Sequence, residues 1–418
     1  MKYLGKSLAA IVLCLVLTSV CRAQTAPTAP APDQAKPAEP AAPAAAAPAA
    51  PAALPTPAIT GPLAGAPPFL FDGGPFGKIA VNGIVSGFAT GQDNSVPGDK
   101  STNATLGNGQ VWIQKTDGWF QFYIQAGAYT MPALATPYMN TGSTVSNFYG
   151  ALPVAFVKLV PNKTTSILIG QLPTLIGAEY TFTFENMNVE RGLLWNQENA
   201  VSRGVQINQA IGKYVAASVS LNDGFYSNRY TWLTGSLTVT KGPHALAFVG
   251  GGNFDKTAFQ TLATPVQNNS SIFNVIYTYT KGPWIIQPYF QYTNVPTNVQ
   301  IGITNGASTQ GEAILLSHAF KHGFSMAGRA EYISSTGTAA QNSVNLLGFG
   351  PGSAGTSVTG TPTFQYGGFF VRGDLSLVHA SNMTPGYTFG PAGLNNNQVR
   401  AVGEIGFIFG SNIVEKKP

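Results

Sequence analysis

The sequence predicts an all-β protein: a transmembrane antiparallel up-and-down β-barrel of about sixteen strands, preceded by an export signal and an alanine/proline-rich tether. Three observations point there. Charged residues are only 9% of the chain, against ~25% in ordinary soluble domains, while glycine (48 residues) and aromatics (11%) are abundant. Past the N-terminus no apolar run is long enough for a membrane helix, yet several segments alternate apolar and polar residues. Short turn-forming clusters also recur along the chain, with longer polar stretches between them.

Residues 1–23 have the form of a cleavable export signal. Lys2 and Lys6 precede an apolar core, Ser7–Val20, that is shorter than a bilayer span, and Ala23 supplies a small residue at the cleavage point. Both cysteines, Cys14 and Cys21, lie within it, so the remaining chain has no thiol for a disulfide, for catalysis or for metal ligation. Without Lys2, Lys6 and Arg22 the basic residues fall from 22 to 19 against 17 acids, a balance of +2 that gives no reason to expect nucleic-acid binding. Residues 24–70 are dominated by alanine and proline and read as a semi-rigid periplasmic linker, able to reach on the order of 140 Å if extended at ~3.1 Å per residue. The barrel is expected over residues 71–410, with a short tail at 411–418.

Within the barrel the alternation is explicit. In Trp119–Thr130, Phe120, Phe122, Ile124, Ala126 and Ala128 share one face, while Gln121, Tyr123, Gln125 and Tyr129 share the other. Trp284–Asn294 and Val399–Phe409 behave alike, although Pro288 counts against the former because proline cannot donate to a strand ladder. Side chains alternate across a strand, so this is an apolar-out, polar-in wall. Turn clusters at Asp117-Gly118, Pro161-Asn162-Lys163, Gly212-Lys213, Lys241-Gly242-Pro243, Lys281-Gly282-Pro283, Lys321-His322-Gly323 and Gly367-Gly368 mark one rim. Five are followed by an aromatic (Trp119, Tyr214, Trp284, Phe324, Phe369), as a membrane-interface girdle requires. Seven short turns and eight long loops join sixteen strands, a barrel wide enough for a water-filled channel.

Two groups of residues stand out as candidate functional elements. Arg329 with Glu331, Arg372 with Asp374 and Arg400 with Glu404 each share the polar face of a strand. An arginine on the lipid face costs ~2–4 kcal/mol at the midplane, so all six are expected to line the pore, either as a basic ladder facing anionic solutes or as ion pairs within the wall. The loop from Pro173 to Ser202 carries Glu179, Glu185, Glu190, Arg191 and Glu198 among Phe182, Phe184, Leu193, Leu194 and Trp195. A loop extended in water has little use for such apolar groups, so it is expected to fold back and narrow the pore; an external cap is the alternative.

The run GQLPTLIGAEYTFTFENMNVERGLLWNQENAVSRGVQI, Gly170–Ile207, resembles the OmpL-like group of outer-membrane β-barrel porins, as do GRAEYISSTG (Gly328–Gly337) and FFVRGDLSLV (Phe369–Val378). The resemblance implies that the Asn-rich, Arg-Gly-Leu-Leu-aromatic segment, here Asn186–Trp195, lies in a long loop after the fifth barrel strand. Two features depart from the family: its frequent Arg-x-Glu is Arg372-Gly373-Asp374 here, and the tether is unusually long. The expected function is therefore passive diffusion of small hydrophilic solutes or ions across a bacterial outer membrane. A structural or adhesive barrel tethered to the cell wall is the alternative. Outer-membrane lipids are the expected surroundings, no nucleic acid is implied, and a homo-oligomer follows by analogy with other sixteen-stranded porins.

An enzyme is not indicated, and neither a cofactor nor a metal is expected. His244, His318, His322 and His379 make no metal-ligand cluster, since His318 and His322 flank a hairpin. Around Ser353 the chain reads Gly350-Pro351-Gly352-Ser353-Ala354-Gly355, with proline where a nucleophile elbow needs glycine. A hydrolase with a scattered triad is the third and weakest reading.

Overall fold

The computed structural model describes residues 57–59, 61–258 and 260–411, so the signal, most of the tether and most of the C-terminal tail lie outside the described residues. A short strand, β1 (Phe69–Asp72), precedes the wall. The first half of the wall is β2 (Lys78–Gln92), β3 (Thr102–Lys115), β4 (Phe120–Tyr129), β5 (Val154–Asn162), β6 (Thr165–Pro173), β7 (Val201–Ile211), β8 (Val215–Asn222) and β9 (Trp232–Lys241). The second half is β10 (His244–Asn253), β11 (Ser271–Lys281), β12 (Trp284–Val295), β13 (Ala307–Ala319), β14 (Phe324–Ser335), β15 (Ala354–Tyr366), β16 (Phe369–Ser381) and β17 (Asn397–Phe409). From β2 onward each strand pairs antiparallel with the next, and β17 returns to β2 with Arg400 opposite Gln92 and Phe409 opposite Gly83. The ring is a closed sixteen-strand barrel with one extra strand.

All seven turn clusters join strands on one rim, and the eight longer connections lie on the other. Gly242 and Gly282, with φ of 59° and 57°, open two-residue turns that demand a positive φ at the first position, which a side chain would resist. The five aromatics beside the turns are all solvent-exposed on the outer wall, as a girdle facing lipid headgroups should be. Along β16, Val371, Leu375 and Leu377 are exposed while Arg372, Asp374, Ser376 and Val378 are buried. The outer face of this strand is thus apolar, a surface that water would not tolerate and hydrocarbon does.

Pro288 does lie inside β12. It stands opposite Ile314 of β13, but the pairing with β11 skips from Tyr289 to Ile286. The Gln287 amide donates to the Thr278 hydroxyl at 3.1 Å, a side-chain bond that ties the two strands together across that gap. Pro362 in β15 repeats the device: pairing with β16 skips from Gly360 to Thr363, and the Thr361 hydroxyl donates to Asp374 at 2.6 Å. Among the described residues no helix is long and apolar enough to cross a membrane.

β1 occupies the edge of β2 that β17 leaves uncovered. It pairs Phe69–Asp72 with Val81–Lys78, beyond the Gly83 position where β17 ends. Preceding residues assigned to the linker then run inward: Ala58 and Leu63 are buried, and Leu63 joins Ile84, Trp112, Phe370 and Ile408 in an apolar cluster on the inner wall.

Candidate pore constriction

The connection between β6 and β7 follows the fifth strand of the closed wall and lies inside the barrel. Every residue from Thr181 to Leu194 is buried. Its local form is two single 3-10 turns, Thr183–Glu185 and Leu194–Gln197, separated by irregular chain whose amides and carbonyls need partners. The wall supplies them. The Arg372 guanidinium donates to the carbonyls of Thr183, Asn186 and Met187 at 2.9, 2.8 and 2.9 Å. Asp374 accepts the amides of Val189 and Glu190 at 3.1 and 2.7 Å, and Glu331 those of Leu193 and Leu194 at 3.0 and 3.4 Å. A β-carbon at Gly192 would overlap the Glu331 carboxylate, so this glycine is what allows the acid to reach the backbone.

Ion pairs complete the fastening. Arg329 bonds Glu179 at 2.6 Å and the Glu190 carbonyl at 2.7 Å, and its Nε lies 3.2 Å from Glu331. Arg400 bonds the Glu190 carboxylate at 2.8 Å and the carbonyls of Ala133 and Thr136 at 3.0 Å, gathering the β4–β5 connection into the same assembly. Glu404 accepts from Ser86 at 2.8 Å, Asn108 at 3.0 Å and the Thr183 hydroxyl at 2.8 Å. Charge-assisted bonds of this kind are worth ~1.5–3 kcal/mol each, and here both signs are offered to a backbone that has both donors and acceptors. Apolar contacts add to them: Phe184 stacks on Trp112 at 5.7 Å, and Phe182 meets Tyr129 edge-on at 5.1 Å.

The six charged residues on β14, β16 and β17 therefore come together, and all are buried against the loop; none presents its charge to open solvent. The loop's own charges divide. Glu179 and Glu190 are ion-paired. Glu185 accepts the Phe182 and Ala58 amides, both at 3.1 Å, and burial pushes its carboxyl up to about 7. Arg191 lies over the Trp195 ring at 5.0 Å with its guanidinium nitrogens otherwise unbonded within the described residues. Glu198 packs on Gly177, both its oxygens buried without a hydrogen-bond partner there, and burial followed by the nearby Glu179 and Glu331 pushes its carboxyl well above the ordinary range.

Away from this ionic cradle lies a cavity of about 360 Å³ between Pro173–Tyr180 and the inner faces of β6 to β12. Gln206, Asn208, Ser218, Ser236, Thr238 and Gln287 give it hydroxyls and amides, with alanines between them. Its one charged lining residue, Glu179, is held by Arg329. These uncharged positions were not singled out from the sequence, where Ser, Thr and Ala on a strand carry no distinctive signal. Of the four histidines, His318 sits between the rings of Trp284 and Phe320 at 4.2 and 4.5 Å, His244 bonds Tyr277 and His379 bonds Asn397.

The family comparison matches residues 78–409, essentially the whole wall, to the beta-barrel porin-2, OmpL-like family. The chain belongs to that family. It is an outer-membrane porin, and its barrel is a channel for small solutes. Solved structures share the fold at low identity. An anion-selective porin from Comamonas acidovorans is 11% identical with a TM-score of 0.55, covering 79% of this chain and 99% of its own. OmpF of Salmonella typhi is 10% identical with a TM-score of 0.53, covering 79% and 98%. DcaP of Acinetobacter baumannii is 11% identical with a TM-score of 0.50, covering 79% and 97%. No curated protein matches the chain.

Proposed function

We propose that this porin passes small uncharged hydrophilic solutes by diffusion along the β6–β12 side of the lumen. The observation that carries the reading is the division of the interior. One half of the wall spends its charges on holding the loop, while the cavity on the other half offers hydroxyls and amides without a free charge. A neutral polar solute can exchange water hydrogen bonds for these groups at little cost, and an ion finds no opposite charge to replace its hydration. Arg329, Glu331, Arg372, Asp374, Arg400 and Glu404 then act on permeation through the loop they position, and Glu179, Glu185, Glu190, Arg191 and Glu198 belong to the constriction itself. In planar bilayers the reversal potential in a salt gradient should lie close to zero. Proteoliposomes should swell with neutral sugars and polyols at rates that fall with solute size. A strongly anion- or cation-selective current would overturn the solute class, and absence of conductance would overturn the channel.

Residues 1–23 are read as the export signal and residues 24–56 as an arm able to contact the cell wall. A homo-oligomer in the membrane belongs to the same reading. Mass analysis of the purified N-terminus and of the detergent-solubilised assembly tests the first and third, and pull-down on isolated peptidoglycan tests the second.

A further inference from the structure

The segment that leads into β1 is held by more than its own sequence would require. Four of its residues are prolines, Pro57, Pro62, Pro67 and Pro68, and none from 57 to 68 is charged. Beginning at the rim, the Pro67 carbonyl accepts the Ser411 amide at 2.7 Å and the Ala66 carbonyl accepts the Asn82 side chain at 2.9 Å. Ala64 exchanges two bonds with the Gln365 side chain, its amide donating at 2.8 Å and its carbonyl accepting at 2.9 Å, as a neighbouring strand would. Leu63 is 4% exposed within the cluster that includes Trp112, Phe184 and Phe370. Gly61, at φ +101°, lies so close to the loop that a β-carbon would stand 3.0 Å from the Met187 Cγ. Deepest of all, the Ala58 amide donates to Glu185 in the constriction loop at 3.1 Å.

An extended proline-rich segment loses little entropy on docking, and grooves that bind such segments combine aromatic walls with a few side chains aimed at the backbone. The crevice has both: Trp112, Phe182, Phe184 and Phe370 as walls, and Glu185, Gln365 and Asn82 as backbone-directed groups. We propose that the crevice between the constriction loop and the β16–β17–β2–β3 wall is a peptide-binding site for an extended, uncharged, proline-containing ligand. Residues 57–59 and 61–67 of the same chain are its resident occupant. Those residues take up lumen, and Ala58 lies beside Pro173, Thr174 and Tyr180 at the edge of the open cavity, so the effect on permeation rests on the channel reading above, whereas the binding itself does not.

The experiment separates the two. A variant lacking residues 24–66, with folding checked by heat-modifiable mobility, is mixed with a fluorescently labelled synthetic peptide of residues 57–68. Saturable binding by the truncated barrel is expected, with at least tenfold weaker binding to the full chain, whose site is filled. A peptide with Leu63→Asp should lose at least tenfold in affinity, because the carboxylate would enter the apolar cluster. Equal binding of the two peptides, or none by the folded truncated barrel, overturns the proposal. If truncation prevents folding, the full-length Leu63→Asp variant takes its place: it should bind the wild-type peptide, and a folded variant that does not overturns the proposal equally. This anisotropy measurement needs no current, so it stands even for a barrel that does not conduct.

Discussion

Glu198 sets the clearest expectation for a single side chain. Its carboxylate is buried on Gly177 without hydrogen-bond partners among the described residues, and its affinity for a proton is raised by that burial. The folded protein therefore holds a proton that the unfolded chain, with an ordinary glutamate near ~4.3, releases. Stability is full below that value and is lost as the pH rises through the range up to the folded value. Glu185 has the same sign, with a folded value of about 7. The urea midpoint of the refolded porin should accordingly fall between pH 5 and pH 8. Glu198→Gln should raise the pH 8 midpoint by an amount corresponding to ~1–3 kcal/mol and flatten the profile, since a glutamine amide is neutral in both states and needs no proton to be buried. An unchanged profile would count against a buried, protonated Glu198. Arg372 predicts the opposite outcome: Arg372→Ala strips three loop carbonyls of their donor and should cost ~3–5 kcal/mol. Limited proteolysis within 183–194 should then begin while the barrel still migrates as folded.

At the scale of elements, the β6–β7 loop is clipped onto the inner wall of the barrel by these bonds. Deleting Phe184–Leu194 removes the Phe184 anchor and the amides that Asp374 and Glu331 hold, and single-channel conductance should rise at least twofold. Unchanged conductance in a folded variant would mean that the loop does not limit flow. Much of this was legible in the sequence. Period-two alternation placed Arg329, Arg372 and Arg400 on polar faces, and the turn clusters counted the strands because tight turns demand particular residues. Three things were not legible. That the charged pairs grip loop backbone rather than solute depends on contacts between residues far apart in sequence, such as Arg372 and Thr183 at a separation of 189. Pro288 argued against a strand that exists, because the compensating Gln287–Thr278 bond crosses to a neighbour. Residues 57–68 looked like linker, since proline and alanine carry no periodicity from which an inward course could be read.

For the whole molecule, the asymmetry of the rims predicts the orientation: short turns toward the periplasm, long loops outward. In a background without other cysteines, Val299→Cys in the β12–β13 connection should react with an impermeant maleimide on intact cells, and Lys163→Cys in the β5–β6 turn should react only after the outer membrane is opened; the reverse would invert the assignment. The seam between β17 and β2 has a further consequence for how such a ring can be made. Its two strands are joined by bonds such as Arg400 to Gln92 across 308 residues, the most distant pairing in the wall being also the one that completes it. Until the final strand arrives, β2 and the growing end both carry unpaired ladder groups, which in hydrocarbon are ruinous and in the periplasm adhesive. Closure therefore comes at the end of assembly and is slow for reasons of chain topology alone. Because Gln365 and Ser411, the partners of Ala64 and Pro67, lie on or beyond the last strands, the segment that emerges early in translocation cannot complete its bonds at the rim until those strands are in place.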